Sequence, residues 1–119
     1  MGENELSPSK LRSMCLKLVQ AMNHIHEQGV LLRNFNSFNI LMSQTKEFEE
    51  KDAIPRICNL QKAQVVGFDG NSLEMEGDLR YLAPEVIKGK RYSFPADVWS
   101  MGVVIFYILT KKHPFEFPT

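Results

Sequence analysis

The chain should fold as a mainly helical α+β domain with short β-strands, and three observations predict it. Residues 8–28 carry apolar side chains at helical spacing. Residues 94–110 are apolar on nearly every side. Between them lie only brief apolar segments, separated by polar, charged or glycine-bearing connections. A chain of 119 residues is at most one small domain, and at this size folding removes about two-thirds of the unfolded chain's surface from water. The formal net charge is zero, which argues against nucleic acid or an acidic membrane as a partner. Cys15 and Cys58 have neither metal-site nor disulfide spacing. With no signal peptide, they read as reduced thiols of a cytoplasmic protein. There is no internal repeat and no low-complexity tract.

Residues 1–6 are expected to be a flexible polar start. Ser7 and Pro8 then open a helix over 8–28, as N-cap and first helical residue. Leu6 and Leu11 have the spacing of a hydrophobic staple. Leu11, Met14, Cys15, Leu18, Val19, Met22, Ile25 and His26 form its apolar face, and Gly29 suits the position after its end. Val30–Leu32 and Ile40–Met42 read as short strands around a polar loop. Residues 43–55 form a charged excursion, Arg56–Cys58 another strand, Asn59–Gln61 a turn, and residues 64–78 a long loop. Pro84–Lys88 fits one helical turn stopped by Gly89. The basic run Lys88–Arg91 reads as a solvated turn. His24 and His26 are two residues apart, face different ways on a helix, and are poor joint metal ligands.

Residues 94–110 form the central element. Asp97 is the only formal charge from there to Thr110. A helix apolar all round is buried, and this one is too short to span a bilayer. A buried strand over 103–109 has the same apolar content, but Ser93 as N-cap and Pro95 in the first turn favour a helix. A buried carboxylate must find hydrogen-bond donors, so Asp97 should hold another backbone segment in place.

In their order and spacing, these pieces resemble the middle of the large C-terminal lobe of a eukaryotic protein kinase domain. Gly77-Asp78-Leu79-Arg80-Tyr81-Leu82-Ala83-Pro84-Glu85 resembles the segment ending in Ala-Pro-Glu. Asp97-Val98-Trp99-Ser100-Met101-Gly102 is similar to the start of the family's central buried helix. His26–Val30 resembles the end of the helix before the catalytic loop, Asn39-Ile40-Leu41 the end of that loop, and His113-Pro114-Phe115 the Pro-Phe after the central helix. The resemblance covers residues 7–117. It implies a partial kinase-like C-terminal lobe, with the small N-terminal lobe and the last helices of the large lobe absent. It also implies that Asp97 anchors the turn at Leu32-Arg33.

Against the family's pattern the chemistry is degraded. Phosphoryl transfer is mostly positioning and charge stabilisation. Leu32-Arg33-Asn34-Phe35-Asn36-Ser37-Phe38-Asn39 matches the catalytic loop, where Asn34 replaces the Asp that accepts the substrate proton and Asn36 replaces the Lys beside the transferring phosphate. Losing a general base costs about 10²–10⁴ in rate. Asn59-Leu60-Gln61 stands at the Asp-Phe-Gly position, so the principal magnesium ligand is an amide. Asn39 and Asn59 are the metal-facing pair that remains, and Asn39 and Leu41 the nucleotide-facing residues. Mg²⁺ prefers carboxylate and phosphate oxygens. ATP with Mg²⁺ is therefore implied by the family and not favoured by these residues, although nucleotide without metal stays open. Leu32 and Leu60 replace the family's His and Phe in an apolar column that joins the lobes. Asp78 replaces a Thr of the substrate-binding loop. Glu85 usually pairs with an Arg from the missing part, and here it is left without an obvious partner, expected in solvent.

The pattern is that of a pseudokinase in signalling, acting through a protein partner. Two alternatives stay open. One is a divergent or truncated kinase, to which Asp69, Glu74, Glu76 or Asp78 supplies a carboxylate. The other is a fragment without independent function. Truncation also predicts marginal stability and self-association through exposed core. Arg33 matches the family's phosphate-pairing Arg. Ser72 is the only Ser or Thr between Asn59 and Glu85, so a phosphate docking on Arg33 would sit there. Cys58 reads as a small buried side chain, with a thiol open to a reactive ligand as the alternative. The length of the 43–55 excursion leans toward tyrosine-kinase-like relatives.

Overall fold

The computed structural model describes residues 7–43, 54–67 and 72–115. Leu6 of the expected staple, residues 44–53 of the excursion and Asp69 lie outside them.

The first helix, α1 (Pro8–Glu27), starts where the Ser7 hydroxyl accepts the Lys10 N–H at 3.4 Å and ends before Gly29, whose φ is +74°. Leu18 and Met22 are its buried residues, with Met14 and Ile25 packed beside them. Val19, expected on this face, is exposed. One residue past Leu18, it is rotated about 100° off the buried stripe.

Two small antiparallel ribbons follow. In one, β1 (Val30–Leu31) pairs with β4 (Gln64–Val65), Val30 opposite Val65. In the other, β2 (Ile40–Ser43) pairs with β3 (Ile54–Ile57), Ile40 opposite Ile57 and Ser43 opposite Ile54. Three expectations change. The excursion loses Ser43, Ile54 and Pro55 to strands. Cys58 falls just outside β3. The loop expected over 64–78 begins as β4, because β1 offers an edge that two residues can pair with. A further bridge joins Ser72 to Tyr92, each N–H donating to the other's carbonyl at 2.9 Å.

The short helix α2 (Pro84–Ile87) stops at Gly89, φ +75°. The last helix, α3 (Phe94–Thr110), has Pro95 in its first turn; Ser93 stands at the N-cap without a side-chain capping bond. Asp97, Ser100, Met101, Val103 and Val104 are buried. The helix is not buried all round, however. Val98 is 59 % exposed, and Phe106 and Leu109 are exposed too. That face carries an apolar groove of about 480 Å³ between Pro95, Val98, Phe106 and the Trp99–Phe115 stack, whose centroids are 5.3 Å apart. Sequence composition measures apolarity and not the layer that would cover it.

The core has two parts. Leu18 and Met22 of α1 meet Leu32, Phe35, Tyr81 and the α3 residues Met101, Val103 and Val104. Leu31 meets Leu82, Ala83, Val86, Tyr92 and Ala96. The loop after β1 thus lies between α1 and α3, where side chains from both can reach its backbone. Among the described residues, no helix is long and apolar enough to cross a membrane.

Candidate functional site

Asp97 sits in the first turn of α3 and is 2 % exposed. Its Oδ2 accepts the Leu32 N–H at 2.7 Å and bonds His26 Nε2 at 2.8 Å, and its Oδ1 accepts the Arg33 N–H at 3.0 Å. A buried carboxylate thereby gains its donors. Arg33 is left-handed, φ +66°, a conformation that costs a non-glycine residue about 1–2 kcal/mol. The two N–H bonds to one carboxylate hold the chain there. His26 lies at the end of α1 with its ring 4.7 Å from that of Phe94. Its bond to Asp97 was not readable from the sequence, because the two lie 71 positions apart. Ser100 was also missed: its hydroxyl donates to the Tyr81 carbonyl at 2.7 Å and fixes the segment before α2 on α3.

The loop residues come together as a relay of amides. Asn36 Nδ2 donates to Asn34 Oδ1 at 3.3 Å, and Asn36 Oδ1 accepts the Phe38 N–H at 2.9 Å, capping a 3₁₀ turn at Ser37–Asn39. Asn39 Nδ2 donates to the Asn34 carbonyl. Asn59 Nδ2 donates to Asn39 Oδ1 at 3.4 Å. Asn59 is itself left-handed, φ +60°, at the head of a second 3₁₀ turn, Leu60–Lys62. Leu32 is buried in the core. Leu60, expected in an apolar column, is 50 % exposed, since the turn at Asn59 leaves it outside both core groups. Leu41 is exposed on β2.

An amide has no useful basicity, so Asn34 cannot accept a substrate proton as a carboxylate would. The described carboxylates of the long loop are already engaged. Asp78 accepts from Arg80 at its N–H (2.9 Å), Nε (3.2 Å) and terminal nitrogen (2.8 Å). The Arg80 side chain holds the Asp78 carboxyl below the usual carboxylate range, which makes it a poorer base. Glu74 bonds Arg33 at 3.0 Å, and Glu76 pairs with Lys62 at 3.5 Å. Gly77 lies against Asn34: a Cβ there would stand 2.7 Å from Asn34 Oδ1.

The donor set does not suit Mg²⁺. Asn39 and Asn59 bring no charge, and the Asn39 oxygen already accepts the Asn59 amide. Among the described residues, no group of three or more His, Cys, Asp or Glu is placed to hold a metal ion. Ser72 is buried and its hydroxyl accepts the Glu74 N–H at 3.3 Å, while Arg33 pairs with the Glu74 carboxylate at 3.0 Å. Glu85, expected in solvent, is half-buried; its carboxylate has no ion pair among the described residues. Cys15 and Cys58 are free thiols; Cys58, expected to be buried, is half-buried because it lies just past the end of β3, and burial pushes the Cys15 thiol up.

A mainly helical framework, a carboxylate from its central helix anchoring a left-handed loop turn, and an asparagine-bearing loop facing a second asparagine together define a kinase-type catalytic-loop scaffold. The sequence profile of the protein kinase domain matches residues 2–118, and the chain belongs to that family. It is 34 % identical over 94 % of its length to a probable serine/threonine-protein kinase of Encephalitozoon cuniculi, covering 20 % of that protein. It is 32 % identical over 83 % of its length to the serine/threonine-protein kinase AtPK1/AtPK6 of Arabidopsis thaliana, covering 20 % of it. It is 30 % identical over 94 % of its length to the serine/threonine-protein kinase shk1/pak1 of Schizosaccharomyces pombe, covering 16 % of it. The chain therefore spans about a fifth of the length of these curated relatives. Their names run against the lean toward tyrosine kinases.

Proposed function

We propose that this kinase-family chain has given up phosphoryl transfer and works by binding protein, as a pseudokinase segment in signalling. The observation that carries the reading is the amide relay. Asn34 and Asn59 occupy the positions of the family's proton-accepting and magnesium-binding carboxylates, and they are bonded through Asn36 and Asn39 into one neutral cluster. Each described acidic residue of the long loop that could compensate is paired with Arg33, Lys62 or Arg80. The scaffold under the loop is intact, and the exposed apolar face of α3 supports contact with protein over contact with nucleic acid. Two unpaired thiols fit a reducing compartment such as the cytoplasm.

The second reading is a divergent or truncated kinase. It is favoured by relatives that are named serine/threonine-protein kinases, and family membership makes ATP with Mg²⁺ the ligand to test. A third, a fragment without independent function, is favoured by the small share of those relatives that the chain covers.

One pair of experiments separates the three. The monomer is melted with and without ATP, each with and without Mg²⁺, and phosphate transfer to generic Ser, Thr and Tyr substrates is measured alongside. The pseudokinase reading expects a cooperative transition that ATP with Mg²⁺ raises no more than ATP alone, and no transfer above background. Transfer that disappears in Asn34→Ala overturns it in favour of an enzyme. Absence of any cooperative transition favours the fragment.

A further inference from the structure

Phe38 is 81 % exposed, more than any other large apolar side chain among the described residues. The backbone that carries it is nevertheless fixed from both sides. The Ser37 hydroxyl bonds the Tyr81 hydroxyl at 3.0 Å, and Tyr81 is buried in the first core group. Asn39 is buried too, and its amide donates to the Asn34 carbonyl. The N–H of Phe38 itself donates to Asn36 Oδ1 at 2.9 Å. A contact made through Phe38 therefore has little backbone left to order, which favours binding. The stretch around it is neutral: no formal charge occurs from Asn34 to Ser43. The groove on α3 has the same character. Pro95, Val98, Trp99, Phe106 and Phe115 line it, with no charged side chain. Gly102 lines it as well, and nothing stands within 4 Å of where a Cβ would be. With its ring so exposed, Phe38 does not fill the groove of its own chain.

We infer that Phe38 of one copy of this chain seats in the α3 groove of a second copy, head to tail. Burying a charge in an apolar groove is costly, and neither the groove nor the Phe38 loop brings one. Seating Phe38 also places the amide loop of one copy against α3 of the next. One aromatic side chain buries about 150–250 Å², well short of the roughly 1,200 Å² of a stable interface. The association is therefore weak and reverses on dilution. The inference rests on these two surfaces and not on whether the chain transfers phosphate.

Trp99 is the chain's only tryptophan and lines the groove, so its fluorescence reads occupancy directly. Raising the concentration of the wild-type chain should move Trp99 emission to shorter wavelength in step with association seen by sedimentation. Phe38→Ser should weaken both about ten- to a hundredfold, and Phe38→Leu should recover part of the loss. Val98→Glu with Phe106→Glu should also fail to associate alone. Mixed with Phe38→Ser, it should form a one-to-one complex, because one protein brings the ring and the other the groove. Gly102→Leu adds an apolar side chain inside the groove, so seating predicts weaker association and general stickiness predicts stronger. Phe38→Ser that associates like wild type overturns the inference, as does a mixture that stays monomeric or a Gly102→Leu chain that associates more tightly. A wild-type chain with constant Trp99 emission at every concentration overturns it too. Should the doubly substituted protein unfold, Phe38→Ser and Gly102→Leu decide.

Discussion

Asp97 has two oxygens and accepts bonds from three groups that lie far away in the sequence. Replacing it by alanine strands the buried N–H of Leu32 and the half-buried N–H of Arg33, and removes a contact that offsets the left-handed conformation of Arg33. Orphaned buried donors cost about 1–3 kcal/mol each, and breaking a buried charged cluster costs about 3–5 kcal/mol in all. We expect Asp97→Ala to lose about 3–5 kcal/mol, read from the urea midpoint followed by circular dichroism. Asp97→Asn should lose less, since one carbonyl oxygen remains, though its NH₂ then faces a donor. A small domain has only about 5–15 kcal/mol to lose, so the alanine variant should give up a large share of its stability. Equal midpoints for wild type and Asp97→Ala would mean that the turn at Arg33 is held by something else.

At the scale of elements, Gly29 and Gly89 offer a controlled comparison. Each follows a helix, and their φ angles, +74° and +75°, are nearly the same. Around Gly89 a Cβ would meet nothing within 4 Å; at Gly29 it would lie 2.9 Å from the Gly67 Cα. Both alanine variants pay the left-handed strain of about 1–2 kcal/mol. Only Gly29→Ala must also push apart the end of α1 and the strand end after β4, where Gly67 and Val66 donate to the Gly29 carbonyl. We expect it to cost about 1–3 kcal/mol more than Gly89→Ala, measured as the difference in melting midpoint. The same elements show what a sequence reveals. The helix α1 was legible because its period, Pro8 and the closing Gly29 agree, and α3 because a long apolar run follows Ser93 and Pro95. The loop amides were legible as positions in a spaced motif. Gln64-Val65 has no pattern of its own and becomes a strand only because β1 lies beside it. The Glu74–Arg33 and His26–Asp97 pairs join residues 41 and 71 positions apart, and no local signal encodes them. The exposed side of α3 was misjudged because apolarity of a helix does not name its cover.

At the scale of the whole molecule, that exposed side leads us to expect self-association. Val98, Phe106 and Leu109 stand out on α3 beside the Trp99–Phe115 stack, and the chain's formal net charge of zero supplies little repulsion between copies. Large exposed apolar faces drive association, so we expect sedimentation to show concentration-dependent self-association. Burying a large apolar side chain is worth about 1.5–3 kcal/mol. Replacing two of them, Val98→Glu with Phe106→Glu, should therefore weaken association about a hundredfold or more. Both positions point outward, where substitutions change folding by no more than about 0.5 kcal/mol, so the melting curve of the variant monomer should match the wild type. A wild-type chain that sediments as a monomer at every concentration would mean that the face is tolerated in water. An associating variant would place the contact elsewhere on the surface, for which the exposed Leu16 and Val19 of α1 are the next residues to change.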